Sequence, residues 1–297
     1  MSYFRTSFEN AGVNGMNIEL KYLDSLPQGY FKSRSVSPAK KEESAERTVK
    51  QALIKPSISI VIPAYNEAGF ITNTLDSIFS SATRYAGQVE VIVVDNNSTD
   101  NTGEIAASMG AKVVFEAKNQ IARARNTGAR AATGDFLVFV DADTVLEGDI
   151  LDQVEVNLSS GQVIGGGAWV EPDSSGLGRL VFKYGVNYLL ALKNITVGPF
   201  LYCDRAAFLR VGGFDEDLYA AEEFSLASRL KEEGKKESKS WRIIKYRPTH
   251  KIITSSRKFG RFGGLEMAYQ NAHLLWETGS KLREKSHCHF WYDVRKQ

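Results

Sequence analysis

The amino-acid sequence predicts an α/β fold in which helices cover both faces of a mostly parallel central sheet. Two observations predict this class. Between residues 56 and 140, runs of Val, Ile, Leu and Phe alternate with segments whose apolar residues recur at helical spacing. The runs are continuously apolar, which is typical of strands buried on both faces of a parallel sheet.

The first part of this pattern contains four predicted strands and three predicted helices. The strands are residues 58–62 (ISIVI), 89–94 (VEVIVV), 112–115 (KVVF) and 135–140 (DFLVFV). The helices are residues 67–81, residues 100–110, which Gly110 closes, and residues 120–132. Ligands of such sheets bind beyond the carboxyl ends of the strands, so the loops beginning at Pro63, Asp95 and Asp141 are the informative ones.

The rest of the sequence is less regular. We predict helices at residues 147–158, 177–192, 220–234 and 261–279, and a strand at residues 162–171 that carries three consecutive glycines. Residues 1–56 are polar and irregular, so we expect them to form a flexible extension.

The composition is that of an ordinary globular protein. Of 297 residues, 43% are hydrophobic, and a formal net charge of +2 gives no reason to expect nucleic-acid binding. No signal peptide is expected, because residues 1–20 lack a continuous apolar core. No membrane span is expected, because the most hydrophobic later stretch, residues 186–202, is interrupted by polar residues and Pro199. Two cysteines, Cys203 and Cys288, are too few for a disulfide framework, which fits a cytoplasmic protein. Peripheral contact with the inner face of a membrane stays open.

Polar residues follow the first two predicted strands where each strand ends. The loops read Pro63-Ala64-Tyr65-Asn66-Glu67 and Asp95-Asn96-Asn97-Ser98-Thr99-Asp100. Tyr65 and Glu67 have the chemistry to stack on and hydrogen-bond a nucleobase, and the Asp95 carboxylate can accept a hydrogen bond from a base N–H. Asp and Asn are also common in turns and helix caps, so a purely structural role stays open.

A third polar loop, Asp141-Ala142-Asp143, directly follows the strand of residues 135–140. Two carboxylates one residue apart at a strand end are poorly explained by packing, because both need solvent or a cation. Oxygen ligands at this density suit Mg²⁺ or Mn²⁺, which also bind substrate phosphates. The loop therefore predicts a divalent-metal site at the carboxyl edge of the sheet.

Four segments, read in order along the chain, resemble glycosyltransferase family 2. They are PAYNE, VVDNNSTD, ARARNTGARAATGDFLVFVDAD and GGFDEDLYAAEEFSLASRL, within residues 57–235. The resemblance implies one domain of the nucleotide-diphospho-sugar transferase (GT-A) fold, which moves a sugar from a nucleotide-diphosphate sugar, expected to be UDP-linked, to an acceptor hydroxyl. It divides the chain into the extension (1–56), a nucleotide-sugar-binding half (57–145), an acceptor-binding and catalytic half (146–260), and a C-terminal helix and tail (261–297).

The resemblance also implies which residues contact the donor. The matching positions are Pro63, Ala64, Tyr65, Glu67, Asp95, Arg125, Asp141, Ala142 and Asp143. Asp141 and Asp143 match the motif at the ribose and the Mn²⁺ or Mg²⁺ ion, with Asp143 as the expected direct ligand. His250 is expected to complete the metal shell. Arg257 and Lys258 resemble a basic loop that covers the diphosphate, although contact with anionic lipid or a simple solvated face stays open.

The expected catalytic base lies in the acidic pair Glu222 and Glu223. An acceptor hydroxyl is a weak nucleophile near neutral pH, so a carboxylate is needed to take its proton. The family places this carboxylate in an acidic pair that opens a helix, and usually has Asp at the second position, where this chain has Glu. Adjacent helix residues point about 100° apart, so we expect one glutamate, Glu223, to face the reactants. The reaction is expected to invert the anomeric configuration, with retention left open.

Two other classes compete with this interpretation. A sugar nucleotidyltransferase of similar fold usually carries a Gly-rich, basic loop after the first strand, where this chain has Pro63 to Glu67. A non-catalytic nucleotide-sugar-binding protein would keep the donor loops and lose the base. The pair Glu222 and Glu223 favours catalysis, but its departure from the usual residues keeps the second alternative open.

Overall fold

The computed structural model describes residues 55–174, 184–185, 187–192, 194, 198–245, 247–257, 281–284 and 288. All of them belong to one unit of the chain that begins at Ile54. Nearly all of the predicted extension, much of the predicted helix 177–192, the predicted helix 261–279 and Lys258 lie outside the described residues.

Within the described residues the strands form two sheets. The strands are β1 (Ile58–Ala64), β2 (Val89–Asp95), β3 (Lys112–Phe115), β4 (Phe136–Val140), β5 (Thr144–Gly148), β6 (Val163–Ala168), β7 (Glu171–Pro172), β8 (Phe200–Asp204), β9 (Ser240–Ile244) and β10 (His250–Thr254). The central sheet has the order β3-β2-β1-β4-β8-β6-β9, and the small sheet has the order β5-β10-β7. Only β8 runs against its neighbours in the central sheet, so the predicted α/β class with a mostly parallel sheet is confirmed.

Helices lie on both faces of the central sheet. The described α-helices are α1 (Ile71–Arg84), α2 (Thr102–Ser108), α3 (Ile121–Ala131), α4 (Ile150–Ser159), α5 (Asn187–Leu192), α6 (Arg205–Arg210) and α7 (Glu222–Lys236). None of them is long and apolar enough to cross a membrane. Successive side chains of a strand point to opposite faces, so Ile60 of β1 packs in the layer with α1 and α4, whereas Val61 packs in the layer with α3 and α7.

Helix α3 lies unusually close to the sheet because its inner face carries small residues. Ala122, Ala124 and Ala129 are buried there. A Cβ added at Gly128 would stand 2.3 Å from a methyl group of Val61, which is closer than packed atoms approach. Arg125 of this helix reaches Asp141, which directly follows β4.

The small sheet was not predicted, and it positions part of the site. Its strand β5 begins directly after Asp143, in a segment that we expected to begin a helix at residue 147; the helix begins instead at Ile150. Antiparallel pairing places Thr254 of β10 opposite Thr144 of β5. The backbone N–H of Ser255 donates to the carbonyl of Asp143 at 3.1 Å, so the chain that follows β10 passes beside the aspartate loop.

Candidate functional site

The loop of Asp141 and Asp143 lies at the carboxyl edge of β4, as the sequence predicted. The backbone N–H of Asp141 donates to the carbonyl of Pro199 at 3.2 Å, and the buried Thr74 hydroxyl donates to the carbonyl of Ala142 at 2.8 Å. These backbone bonds fix the loop and leave both carboxylates for other partners. About one third of the Asp141 side chain is exposed, against 11% of that of Asp143.

Arg257 joins the first loop to the aspartate loop. Its guanidinium donates to both oxygens of the buried Glu67 carboxylate, with distances of 2.8 and 2.6 Å. The same Nη2 atom lies 3.0 Å from Oδ2 of Asp143. Arg257 was predicted to cover a diphosphate; in this structure its guanidinium lies on two carboxylates of the site.

The first two polar loops are bonded to each other. The N–H of Asn96 donates to the carbonyl of Ala64, and the side-chain oxygen of Asn66 accepts from the N–H of Thr99 at 2.8 Å. Asn66 has a φ of +53°, a left-handed conformation that asparagine tolerates better than most residues. Pro63 and Ala64 are buried at the end of β1, whereas Tyr65 is half-buried.

The Asp95 carboxylate is held at the end of β2. Its Oδ1 atom accepts a hydrogen bond from the N–H of Ser98 at 2.9 Å. A Cβ added at Gly103 would stand 3.0 Å from Oδ2, so a side chain at that position would crowd the second oxygen. The loop therefore fixes one carboxylate oxygen and keeps space beside the other.

Arg125 is buried among acidic side chains rather than exposed to a donor. Its Nη1 atom lies 2.9 Å from Oε1 of Glu222 and 2.8 Å from Oε1 of Glu223, and its Nη2 atom lies 3.0 Å from Oδ1 of Asp141. Nη2 also donates to the carbonyl of Gly198 at 3.3 Å. Burial opposes the charged form, but the three carboxylates outweigh it and raise the pKa of Arg125 above its usual value. The expected donor contact of Arg125 does not fit this arrangement, because only 3% of its side chain is exposed.

Glu222 and Glu223 open helix α7, as predicted, but both carboxylates turn to the same guanidinium. They differ in exposure: 4% of the Glu222 side chain is accessible and 16% of that of Glu223. Burial and the adjacent Glu223 carboxylate raise the pKa of Glu222 to about 8, although Arg125 acts in the opposite direction. Glu223 is thus the more accessible of the two, and Glu222 is favoured in its neutral form near neutral pH.

Two backbone features fix the position of the acidic pair. Ala221, directly before α7, has a φ of +61°, a left-handed conformation that is uncommon and costly for alanine. Gly198 lies against Glu223, since a Cβ at that position would stand 2.7 Å from Oε1. Glycine at residue 198 is therefore required for the carboxylate to remain where it is.

The structure does not place His250 at the predicted metal site. It pairs with Gly148 in the small sheet, four residues from Thr254 and so about 13 Å along the strand from the aspartate loop. Its ring nitrogens lie 3.1 Å from Oδ1 of Asp149 and 3.0 Å from the carbonyl of Lys245. Both nitrogens are occupied at the far end of β10, so His250 is not placed to bind a metal at Asp143.

The aspartate loop fits a divalent cation that is bound partly by its substrate. Among the described residues no group of three or more His, Cys, Asp or Glu side chains converges as a metal cage. Mg²⁺ usually takes one or two carboxylates together with substrate phosphates and water, and this needs no such cage. Asp141 and Asp143 supply oxygen ligands of that kind, and the exposed part of Asp141 is open to solvent.

The sequence did not predict that Gly198 lies beside Glu223 or that Arg125 binds the acidic pair. Gly198 lies in Gly-Pro-Phe directly before β8, and only the antiparallel pairing of β8 with β4 brings it to the site. The four segments that carry the family resemblance contain more acidic than basic residues. This surplus is the sequence feature that could have indicated a buried cation such as Arg125.

The chain matches a known family model over just over half its length. Residues 59–215 match the model described as glycosyl transferase family 2. The match includes the three polar loops and α3, and it ends before the acidic pair of α7.

Individual proteins with similar sequences are named as glycosyltransferases. The uncharacterized glycosyltransferase EpsJ of Bacillus subtilis is 34% identical over 30% of this chain and 26% of its own length. Glycosyltransferase AglE of Haloferax volcanii is 38% identical over 30% of this chain and 31% of its own length. The chain thus spans less than a third of these relatives.

Solved structures share the fold at low sequence identity. The mannosyltransferase PcManGT from Pyrobaculum calidifontis, in complex with GDP-Man and Mn²⁺, has a TM-score of 0.56 and 21% identity, with 85% of this chain and 76% of that chain covered. Residues 1–349 of S. aureus TarS, in complex with UDP-GlcNAc, have a TM-score of 0.54 and 20% identity, with 68% of this chain and 59% of that chain covered. These similarities establish the GT-A fold.

Proposed function

The chain belongs to glycosyltransferase family 2, and from that premise we propose that it transfers a sugar from a nucleoside-diphosphate sugar to an acceptor hydroxyl. One observation carries the proposal. The donor-motif carboxylate of Asp141 and the candidate base Glu223 bind the same guanidinium, that of Arg125, so the two halves of the proposed reaction lie within the reach of one side chain.

We propose a UDP-linked donor whose base is bound by Asp95 and Tyr65. The neutral uracil ring presents an N–H, and the absence of a side chain at Gly103 leaves space beside one Asp95 oxygen, which can accept from that N–H. Guanine also presents a ring N–H, whereas neutral cytosine and adenine do not. The two similar structures hold GDP-Man and UDP-GlcNAc, which supports a base of this kind.

The proposed reaction needs a divalent cation, Mn²⁺ or Mg²⁺, held by Asp143 and Asp141. The chemistry that such an ion supplies is neutralisation of charge on the phosphate oxygens of the leaving group. The presence of Mn²⁺ in the PcManGT complex supports this assignment. Arg257 lies beside Asp143 and is the described cation best placed to approach the same phosphates.

Glu223 acts as the base in this proposal. It takes the proton of the acceptor hydroxyl as the hydroxyl oxygen bonds to the anomeric carbon of the sugar. The bond from that carbon to the phosphate oxygen breaks, and the nucleoside diphosphate leaves with the electron pair. Attack from the face opposite the leaving group inverts the anomeric configuration. The greater exposure of Glu223 relative to Glu222 supports this choice of base.

The acceptor side carries an apolar surface that supports peripheral contact with a cytoplasmic membrane face. Tyr184, Tyr188 and Leu192 recur every four residues, and each is more than half exposed. Tyr188 and Leu192 both belong to α5 and lie on one side of that helix, and Tyr184 precedes it. Exposed aromatic and aliphatic groups of this kind are typical of segments that lie in a membrane interface.

The test is a panel of nucleotide sugars with Mn²⁺, read out by thermal stabilisation and by release of nucleoside diphosphate. We expect one nucleotide class to stabilise the wild type in a metal-dependent way, by about 5–10 °C at 100 times its Kd, and Asp143→Ala to abolish that stabilisation. Glu147→Gln, which removes a carboxylate paired with Lys251 in the small sheet, is the control and keeps the stabilisation. Equal stabilisation of wild type and Asp143→Ala would refute the metal site. Binding without turnover or transfer would indicate a nucleotide-sugar-binding protein instead.

A further inference from the structure

We propose that Arg125 is a positioning residue that fixes the base Glu223 relative to the donor carboxylate Asp141, and that it does not itself contact the donor. The inference rests on the proposed function and adds to it a residue that sets the geometry between donor and base. It follows from the contacts, the burial and the charge balance of one side chain.

The contacts of Arg125 divide between the two halves of the site. Nη1 faces helix α7 and donates to both Glu222 and Glu223, whereas Nη2 faces the aspartate loop and donates to Asp141. A guanidinium is planar and its donors are fixed relative to each other. The separation between the Glu223 and Asp141 carboxylates is therefore set by the geometry of one rigid group.

Gly198 completes the arrangement. Its carbonyl accepts from Nη2 of Arg125 at 3.3 Å, and its missing side chain leaves room for the Glu223 carboxylate. The segment before β8 is thus bound to the same guanidinium as the aspartate loop and α7. Movement of any of the three toward or away from the others would break a bond to Arg125.

The burial of the Arg125 side chain is evidence against its contact with a ligand. Its side chain is 3% exposed, and its terminal nitrogens are already used by protein acceptors. Its Nε atom is buried without a hydrogen-bond partner in the structure. A buried donor without a hydrogen bond is unfavourable. The bonds of the terminal nitrogens to the acidic side chains therefore account for the buried position of Arg125.

The charge balance shows why the cation matters for position as well as stability. Three acidic side chains meet one guanidinium, and without it the Glu223 and Asp141 carboxylates would repel one another in a poorly solvated place. Glu223 would then turn toward solvent, away from Asp141. Misplacement of a reacting group by about 1 Å can reduce turnover about 10²-fold without a new contact being made.

The experiment compares Arg125→Lys with the double variant Arg125→Met/Glu222→Gln. Lysine keeps the charge and loses the rigid fork. The double variant removes the cation and replaces the most buried of the three acidic side chains by an amide that cannot ionise. We expect it to fold more readily than Arg125→Met alone, which would leave all three acidic side chains without a cation. Arg123→Lys is the matched control, because Arg123 lies on the same helix and also joins two acids, Glu116 and Glu216.

We expect both test variants to lose about 10²-fold in kcat while the binding of nucleotide with Mn²⁺ weakens by less than threefold, and the control to retain both values. Unchanged kcat in the two test variants would overturn the inference. A weakened nucleotide Kd with unchanged kcat would also overturn it, because Arg125 would then be a donor contact. If Arg125→Lys does not fold, the double variant decides.

A structural readout separates this inference from the proposed function. In a crystal structure of the double variant, we expect the Glu223 carboxylate to have left its place beside Gly198. An unmoved Glu223 would overturn the positioning role whether or not the wild type transfers sugar. A wild type without turnover on any nucleotide sugar would refute the proposed function, and the position of Glu223 would still test Arg125.

Discussion

Arg257 and Glu67 are 190 residues apart in the chain, and their side chains are joined by two hydrogen bonds of 2.8 and 2.6 Å. The same guanidinium lies 3.0 Å from Asp143, the proposed direct metal ligand. The Arg257 guanidinium thus already neutralises part of the negative charge at the proposed metal site. Metal and Arg257 should therefore compete for Asp143.

We predict that Arg257→Gln increases the affinity for Mn²⁺ alone and decreases the affinity for nucleotide with Mn²⁺. Loss of an ion pair worth about 1 kcal/mol corresponds to roughly fivefold tighter metal binding. The nucleotide complex should weaken because a cation beside the phosphates is lost. Isothermal titration calorimetry with Mn²⁺, and then with nucleotide, measures both effects. Unchanged or weaker binding of Mn²⁺ alone would contradict the competition, and unchanged or tighter nucleotide binding would contradict the role of Arg257 beside the phosphates.

We predict that Glu223→Gln keeps donor binding and reduces kcat by about 10²–10⁴-fold, as expected when a positioned base is lost. The amide has the size of the carboxylate but cannot take the proton. Release of nucleoside diphosphate and nucleotide Kd are the two measurements. Glu232→Gln, on the exposed side of the same helix, is the control and should behave as wild type. Undiminished transfer by Glu223→Gln would exclude it as the base.

We predict that Glu222→Gln changes the pH dependence of stability. Burial, together with Glu223, raises the pKa of Glu222 to about 8 in the folded state, above its unfolded value of 4.5. Between those two pH values the folded state holds a proton that the unfolded state has lost, so this residue lowers the stability of the wild type as pH rises. The effect is absent below pH 4.5 and levels off above pH 8.

Gln resembles the neutral carboxyl group and does not ionise. The free energy of unfolding of Glu222→Gln minus that of the wild type should therefore increase with pH between pH 5 and 8. The increase should be at most about 1.4 kcal/mol per pH unit. Urea unfolding at a series of pH values measures the difference. A difference between the two proteins that stays constant with pH would show that Glu222 does not hold a proton in the folded state.

We predict that Gly198→Ala reduces kcat at least tenfold with little effect on stability. The new methyl group would stand 2.7 Å from Oε1 of Glu223, and the flexible side chain would rotate away from it. Nucleotide binding should persist, because the donor loops are not touched. The control is Gly69→Ala, where an added methyl group meets no atom within 4 Å. Full activity of Gly198→Ala would show that the observed position of Glu223 is not the reactive one.

The sequence predicted the donor side of the fold well because that information is local. The strands β1 to β4 are continuous apolar runs, and the loops that follow β1, β2 and β4 must meet at one edge of a parallel sheet. The structure brings the loops of Asn66 and Asn96 into direct contact, and Asp141 and Asp143 lie at the predicted strand end.

The acceptor side was harder to predict because it depends on long-range pairing. Strands β5 and β10 are short and carry polar and basic residues, and only their register places Arg257 at Asp143 and His250 far from it. The sequence also does not show in which direction a long side chain points. Arg125 was expected to reach a donor, and its guanidinium instead turns to three acids of the protein.

The reversed direction of β8 has a consequence for how this scaffold can diversify. Since β8 runs opposite to β4, the chain enters it at the edge where the parallel strands end, and it arrives with Gly198 already beside Glu223. Insertions or deletions between β7 and β8 would thus reach the base without shifting the register of any strand. Variation in that one connection can therefore change the surroundings of Glu223 while the loops of Asp95 and Asp141 keep their structure.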